Sequence, residues 1–118
     1  MYLRGSKMNV AVVGSREGVR ESFVLDMLGQ IIKPGDSLIT GGARGVDTWV
    51  IAWAKTNNVP CEIIEPVDKT QKVSYLFRNI EILTKADMVI AFWDGESKGT
   101  KFVIDYAHER KKPVRIFV

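Results

Sequence analysis

The sequence predicts an α/β domain built on one parallel sheet of five strands, with helices packed on both faces. Two observations lead to this prediction. Short apolar runs at residues 9–13 and 88–92 lack alternation, which is typical of central strands buried on both faces. Segments with helical periodicity lie between such runs, so that a strand–helix unit recurs four times before a fifth strand. We therefore expect a three-layer sandwich with strand order 3-2-1-4-5.

The individual elements are predicted from local patterns. The first strand is followed by a helix at 17–32, in which Val19, Phe23, Met27 and Ile31 recur every four residues. The turn at 33–36 contains Pro and Gly and ends that unit. The later elements are a strand at 38–39, a helix at 46–57, a strand at 61–64, a helix at 73–85, the strand at 88–92, a helix at 100–110 and a strand at 113–118.

Length and composition predict one ordinary globular domain. The chain has 118 residues with 46% hydrophobic and 26% charged residues, a balance that suits a single core. We expect residues 8–118 to form the domain and residues 1–7 a flexible leader, with Met8 as an alternative start. A formal charge of +3 permits nucleotide or nucleic-acid binding without requiring it.

Cysteine, histidine and signal patterns set the expected compartment and metal content. One cysteine excludes an intrachain disulfide, and no signal-peptide pattern or membrane-length apolar run is present, which favours a cytoplasmic protein. One Cys and one His argue against a zinc site. We predict that the protein needs no metal and no cofactor.

The stretch S-L-I-T-G-G-A-R-G-V-D at residues 37–47 predicts an anion site. A buried strand, a glycine turn and a helix start follow one another, and glycines allow positive φ and close approach of a ligand to the backbone. The first N–H groups of a helix have no partner inside it and favour an anion, commonly a phosphate. The spacing fits neither a Walker motif nor the usual dinucleotide motif. A glycine turn without any ligand is the alternative.

The predicted topology brings three glycine-containing loops together at one edge of the sheet. In a sheet of order 3-2-1-4-5, the loops after strands one, two and four meet at the carboxyl edge, where ligands of such folds bind. We predict a phosphate-facing wall with supporting residues formed by Gly14, Ser15, Arg16, Gly41, Gly42, Ala43, Arg44, Gly45, Asp47, Arg78, Gly99 and Thr100.

Several of these residues have an alternative role. Ser15 and Thr100 can each contact a ligand or cap a helix, and Arg16 and Arg44 either clamp a phosphate or lie in solvent. Arg78 reaches the pocket or remains on an exposed helix surface.

Acidic and aromatic residues are also expected near this edge. Asp47, Asp94 and Glu96 are the only carboxylates expected near a ligand sugar, and are weak candidates for catalysis. Trp93 can stack on a base or pack in the core. Trp49 and Trp53, four residues apart, form part of the core or a dimer face; we expect a homo-oligomer.

The pattern of these motifs resembles a known superfamily. It comprises V-V-G-S-R at 12–16, G-G-A-R-G-V-D at 41–47, R-N at 78–79, A-D-M-V-I-A-F at 86–92 and G-T at 99–100. Together they resemble the SLOG superfamily, most closely its YspA-like (YpsA-related) group and the Rossmann-like core of DNA-processing protein A (DprA/Smf). The resemblance covers nearly the whole chain from Met8 onward.

The resemblance implies a Rossmann-like domain that binds nucleotides or nucleotide-derived ligands. The DNA-processing branch implies single-stranded DNA binding and delivery of a recombinase. The Lonely Guy branch implies hydrolysis of a nucleoside monophosphate and resembles P-G-G-x-G-T-x-x-E, whose glutamate takes part in catalysis. Here residues 94–103 read D-G-E-S-K-G-T-K-F-V, so that Val103 stands at the glutamate position and the double glycine is missing.

Three functions follow from these observations. The leading expectation is a nucleotide-binding sensor or carrier that is not clearly an enzyme. The second is a phosphoribohydrolase that cleaves an N-glycosidic bond. The third is a single-stranded nucleic-acid binder with a basic edge and a stacking residue, Trp93 or Tyr75. The expected basic edge consists of Arg16, Arg44, Arg78, Lys98 and Lys101.

Overall fold

The described part of the chain folds into five strands and four helices that alternate strictly. In the computed structural model, residues 7–118 are described. The elements in chain order are β1 (Asn9–Gly14), α1 (Glu21–Ile31), β2 (Ser37–Thr40), α2 (Val46–Thr56), β3 (Cys61–Ile63), α3 (Lys72–Lys85), β4 (Met88–Phe92), α4 (Lys98–Glu109) and β5 (Val114–Phe117). The predicted leader lies outside the described residues, apart from Lys7.

The strands form one parallel sheet of order β3-β2-β1-β4-β5, which confirms the predicted topology. β1 lies at the centre, with Ala11 opposite Ile39 of β2 and opposite Val89 of β4. All four strand pairings are parallel, because a helix connects each strand to the next. The chain passes from one half of the sheet to the other between β3 and β4, so the carboxyl ends of β1 and β4 adjoin.

Two helices cover each face of the sheet. On one face, α1 and α2 pack Val24, Leu28 and Val50 against the strands. On the other face, α3 and α4 contribute Leu83 and Ile104 to a second buried cluster. Side chains of β1 alternate between these two clusters, which explains why the strand is apolar throughout.

The structure corrects two predictions about the first helix, namely the residue at which it starts and the stripe of apolar residues that it buries. α1 begins at Glu21, not near residue 17, because residues 15–20 form a loop at the carboxyl edge. The fully buried positions are Val24 and Leu28, while Phe23 of the predicted stripe is 37% exposed. The period was therefore correct, but the buried face lies one residue further along the helix.

The tryptophans of α2 belong to the core side of the helix. Trp49 and Trp53 are half-buried and pack against the cluster that α1 and α2 share. None of the four helices in residues 7–118 combines the length and hydrophobicity that a membrane span requires.

Candidate functional site

A cavity of about 420 Å³ opens at the carboxyl edge of the sheet, where the loops after β1, β2 and β4 meet α3. Its volume lies within the range of roughly 300–1,000 Å³ that is usual for small-molecule sites. All three predicted loops contribute to the lining. The predicted residues that line it are Gly14, Arg16, Gly41, Ala43, Asp47, Arg78, Asp94, Gly99 and Thr100.

Five residues of the predicted phosphate-facing wall and of the predicted carboxylates lie outside the lining of this cavity. They are Ser15, Gly42, Arg44, Gly45 and Glu96. Ser15 is 1% exposed, and its hydroxyl accepts a hydrogen bond of 3.0 Å from the N–H of Asp94. It therefore joins the first loop to the third and neither caps α1, whose N-cap is Arg20, nor faces a ligand.

Arg44 does not line the cavity, and its side chain is largely exposed to solvent. Its Nη2 donates to Oε1 of Glu17 at 2.9 Å, and the two side chains are 70% and 79% exposed. An ion pair this exposed contributes little to stability. Of the arginines predicted to clamp a phosphate or to reach the pocket, Arg16 and Arg78 line this cavity and Arg44 does not.

Arg78 reaches the cavity from α3 and holds the glycine turn. Its Nη1 donates to the carbonyl oxygen of Gly41 at 2.6 Å, and its Nε donates to Oδ1 of Asn79 at 2.9 Å. A Cβ at residue 41 would lie 2.6 Å from that Nη1, so a larger residue there would displace the guanidinium from this position. Gly41 does not have the positive φ that we expected of it.

The Nη2 group of Arg78 has no hydrogen-bond partner in the described part of the chain. Burial lowers the pKa of Arg78 from its ordinary value; the charge of Asp47 opposes that shift, and the charge of Arg16 adds to it. Arg16 and Arg78 are therefore close enough to repel one another. Among residues 7–118, neither forms an ion pair with a carboxylate.

Asp47 lies beneath the glycine turn at the start of α2 and is 6% exposed. Its Oδ2 accepts a hydrogen bond of 3.0 Å from the N–H of Ala43. Burial raises the pKa of this carboxyl, while the amide of Ala43, the hydroxyl of Thr40 and the charge of Arg78 act in the opposite direction. The carboxylate thus orders the turn, which is a role that a carboxylate in the first turn of a helix commonly has.

The raised pKa of Asp47 predicts that the stability of the folded protein depends on pH. Because the folded state holds this proton more tightly, the unfolded state ionises first, above the ordinary value of 3.8. Wild-type stability should therefore fall relative to Asp47→Asn as the pH rises from that value through the raised pKa. Urea unfolding of both proteins across this range measures the difference.

Asp94→Asn provides the control of opposite sign. Hydrogen bonds from the amides of Ser97 and Glu96 hold the pKa of Asp94 below its usual value, so wild type should lose stability relative to this variant as the pH falls. Parallel stability curves for wild type and Asp47→Asn would contradict the prediction for Asp47.

The third loop forms the wall of the cavity next to α4. Oδ1 of Asp94 accepts hydrogen bonds from the N–H groups of Glu96 at 2.9 Å and Ser97 at 2.8 Å. Ser97, rather than Thr100, is the N-cap of α4, and its hydroxyl accepts from the N–H of Thr100. The helix starts at Lys98 instead of residue 100, because the capping residue stands three positions earlier.

This cap leaves donors at the cavity. The N–H groups of Lys98 and Gly99 belong to the first turn of α4 and have no partner inside the helix. A Cβ at residue 99 would meet nothing within 4 Å, so the backbone there is open to a ligand. Trp93 lies behind this part of the cavity wall, where its Nε1 donates to the carbonyl oxygen of Ser97 at 3.0 Å.

Residues outside the predicted set complete the lining. They are Val13, Glu17, Asn79, Ile82, Ser97 and Val103, and Tyr75, which we predicted as a possible stacking residue, lines the cavity beside them. Asn79 and Ile82 are spaced with Tyr75 and Arg78 as one face of a helix, and this spacing was the sequence signal that could have found them.

The floor of the cavity is apolar. Val13, Ile82 and Val103 are each at least nine-tenths buried. The half-buried ring of Tyr75 adjoins them, with the Arg78 guanidinium carbon 5.5 Å from its centroid. The cavity thus has a polar rim, with the guanidinium groups of Arg16 and Arg78 and the carboxylates of Glu17 and Asp94, above an apolar base. Within the described residues, no group of three His, Cys, Asp or Glu side chains could hold a metal ion.

Two solved structures are similar to this chain in fold. DNA processing protein A from Helicobacter pylori, for which a single-stranded DNA binding mode has been described, superposes with a TM-score of 0.75 at 19% identity over 92% of this chain. TM1055, a structural genomics target, superposes with a TM-score of 0.73 at 23% identity over 90% of this chain. The chain has a Rossmann-like fold.

The likeness concerns the fold alone, since both identities are below 25%. This Rossmann-like chain spans 64% of the length of the DNA processing protein A chain and 71% of that of TM1055. No family model matches the sequence, and no curated protein is significantly similar to it. Membership of the SLOG superfamily and of its YspA-like group remains a prediction.

Proposed function

We propose that the cavity binds a nucleotide or a nucleotide-derived ligand, with the phosphate at the rim and the nucleoside on the apolar floor. The observation that carries this proposal is the pair of guanidinium groups. Arg16 and Arg78 share one cavity, repel one another, and have no carboxylate ion-pair partner in the described chain. A phosphate would supply an ion-pair partner for both groups and accept from Nη2 of Arg78.

The amide groups of α4 support the same placement of the phosphate. Lys98 and Gly99 present N–H donors at the positive end of a twelve-residue helix, beside the cavity. The predicted rim residues Gly14, Gly41 and Thr100 complete this wall. No metal ion is needed, because cationic side chains and backbone amides provide the positive charge.

The apolar base suits the rest of a nucleotide. Val13, Ile82 and Val103 offer an aliphatic surface, and the Tyr75 ring offers a face on which a base can stack. The Oδ1 of Asn79 already accepts from Arg78, so the amide turns its NH₂ group toward other partners. The ligand atom that meets Asn79 should accordingly be an acceptor.

Calorimetric titration with a panel of nucleoside mono-, di- and triphosphates tests the proposal, together with mass spectrometry of any co-purified small molecule. The matched control is each nucleoside without phosphate. We expect at least one nucleotide to bind at least about tenfold more tightly than its nucleoside. If no nucleotide binds, or if nucleosides bind as well as nucleotides, the proposal is wrong.

Single-stranded DNA binding is the second candidate, and the likeness in fold to DNA processing protein A favours it. α3 exposes 63% of Phe77, which offers a stacking surface. However, Arg44 is paired with Glu17, and Lys101 is paired with Asp105 at 2.7 Å, which weakens the predicted basic edge. A labelled oligonucleotide that shifts at low salt and is released steeply by added salt would support this candidate.

Hydrolysis of an N-glycosidic bond finds less support among the carboxylates. Asp47 is engaged by the amide of Ala43, Asp94 accepts from two amides, and Glu96 lies outside the cavity. Val103, at the position of the glutamate in the Lonely Guy motif, is 2% exposed and lines the cavity as an aliphatic residue. We therefore propose a binding role and not a catalytic one.

A further inference from the structure

Asp47 is a buried titratable group whose carboxylate the proposed ligand contacts leave unused. It lines the cavity from below, under the glycine turn, and its Oδ2 lies 3.0 Å from the N–H of Ala43. The hydroxyl of Thr40 and the amide of Gly41 also interact with this carboxyl group. The amides of Ala43 and Gly41 belong to the backbone, and the Thr40 hydroxyl donates to the carbonyl oxygen of Val12 at 2.9 Å, so these neutral groups cannot balance a change of charge in the cavity.

Other charged groups reach Asp47 from two further elements. Arg78 faces it from α3 and supplies the nearest positive charge. Cys61 faces it from β3; burial, and then the charge of Asp47, raise the pKa of that thiol, which keeps it neutral. Arg16, in the first loop, acts on Arg78 across the cavity. Asp47 thus shares a single strong cation, Arg78, with the proposed phosphate.

We propose that Asp47 takes up a proton when an anionic ligand enters the cavity, so that ligand binding and protonation are coupled at this site. The inference rests on the proposed function. A phosphate placed against Arg78 adds negative charge beside the carboxylate and draws on the same guanidinium. It also displaces water from the cavity, and both changes favour the neutral acid.

The coupling has a definite sign. Protonation becomes easier in the complex than in the free protein, so by linkage the ligand binds more tightly when Asp47 is protonated. Affinity should therefore decrease as the pH rises through the interval between the two pKa values of Asp47. Burial already raises the pKa of the free protein's carboxyl, which moves this interval toward neutral pH.

Calorimetry of the wild-type protein tests the proposal without any substitution. The best-binding nucleotide from the panel is titrated in buffers of different ionisation enthalpy, which reports the number of protons exchanged on binding. As the pH of the titration is raised from the ordinary value of 3.8, we expect an interval in which Asp47 contributes an uptake of up to one proton and the affinity falls by up to about tenfold per pH unit.

Matched variants assign the proton to Asp47. The nucleotide phosphate itself titrates, so the same nucleotide is measured with Asp47→Asn, in which uptake by the residue is removed and only the ligand's own contribution remains. Cys61→Ala and Arg44→Met should both retain the wild-type uptake. They control for the neighbouring thiol and for a cation outside the cavity.

Each outcome has a separate meaning. Binding with equal proton uptake by wild type and Asp47→Asn overturns this inference and leaves the proposed function standing. If no nucleotide binds, both the inference and the proposed function are wrong. A larger uptake by wild type, absent from Asp47→Asn and present in Cys61→Ala, supports the coupling.

Discussion

Replacement of Gly45 by alanine is expected to lower the free energy of unfolding by about 2–4 kcal/mol, a large part of the stability of a domain of this size. Gly45 caps α2 with φ 79° and ψ −126°, a conformation that L side chains rarely adopt. An added Cβ would lie 2.6 Å from the backbone oxygen of Arg16. Because that neighbour is backbone, the first loop would have to move.

The matched control is Gly29→Ala in α1. A Cβ at residue 29 meets nothing within 4 Å, and the site is helical and exposed. This variant should be more stable than wild type by about 0.5–1 kcal/mol, since alanine costs less conformational entropy in a helix. Chemical denaturation measures both changes. A loss below about 1 kcal/mol for Gly45→Ala would show that the two loops do not pack as closely as described.

Replacement of Arg78 by methionine is expected to weaken nucleotide binding by about 10- to 100-fold, the cost of losing a charge-assisted hydrogen bond at the site. Methionine retains much of the side-chain length but offers no donor to Gly41 or to a phosphate. The glycine turn also loses its contact of 2.6 Å from Nη1. Calorimetric titration with the same nucleotide gives the change in affinity.

Arg44→Met is the matched control for this experiment. Arg44 carries the same charge in the adjacent turn, but it does not line the cavity and is already paired with Glu17. Its replacement should change the affinity by less than about threefold, the effect of a screened surface charge. If Arg44→Met weakened binding more than Arg78→Met, the phosphate would lie outside the cavity, and the sequence-based assignment to Arg44 would be the better one.

The sheet topology could be predicted because it depends on local patterns. Apolar runs at β1 and β4 lack alternation, and helical segments separate the strands, so that few arrangements can bury every apolar face. The errors occurred at helix ends. α4 starts at Lys98 because the hydroxyl of Ser97 accepts from the N–H of Thr100, and the sequence contains two hydroxyl residues that could have filled this role.

The glycines show why motif residues and cavity residues differ. Gly14 does not have positive φ; it is required because a Cβ there would lie 2.6 Å from Val46 of α2. Gly41 leaves room for Arg78, a residue 37 positions later in the chain. In both cases the constraint comes from a side chain that is distant in sequence. A glycine pattern therefore indicates that the backbone is closely packed there, but it does not identify the residue that packs against it.

The sequence by itself determined the order of the strands and the edge at which the loops meet, since both follow from hydrophobic periodicity and the handedness of the connections. Only the tertiary structure decided that Arg44 turns outward to Glu17 while Arg78 enters the cavity from another element. The direction of a long side chain depends on which carboxylates and carbonyls lie within its reach after folding. Those partners are remote in the chain, and their positions are fixed only when the sheet and its helices have packed.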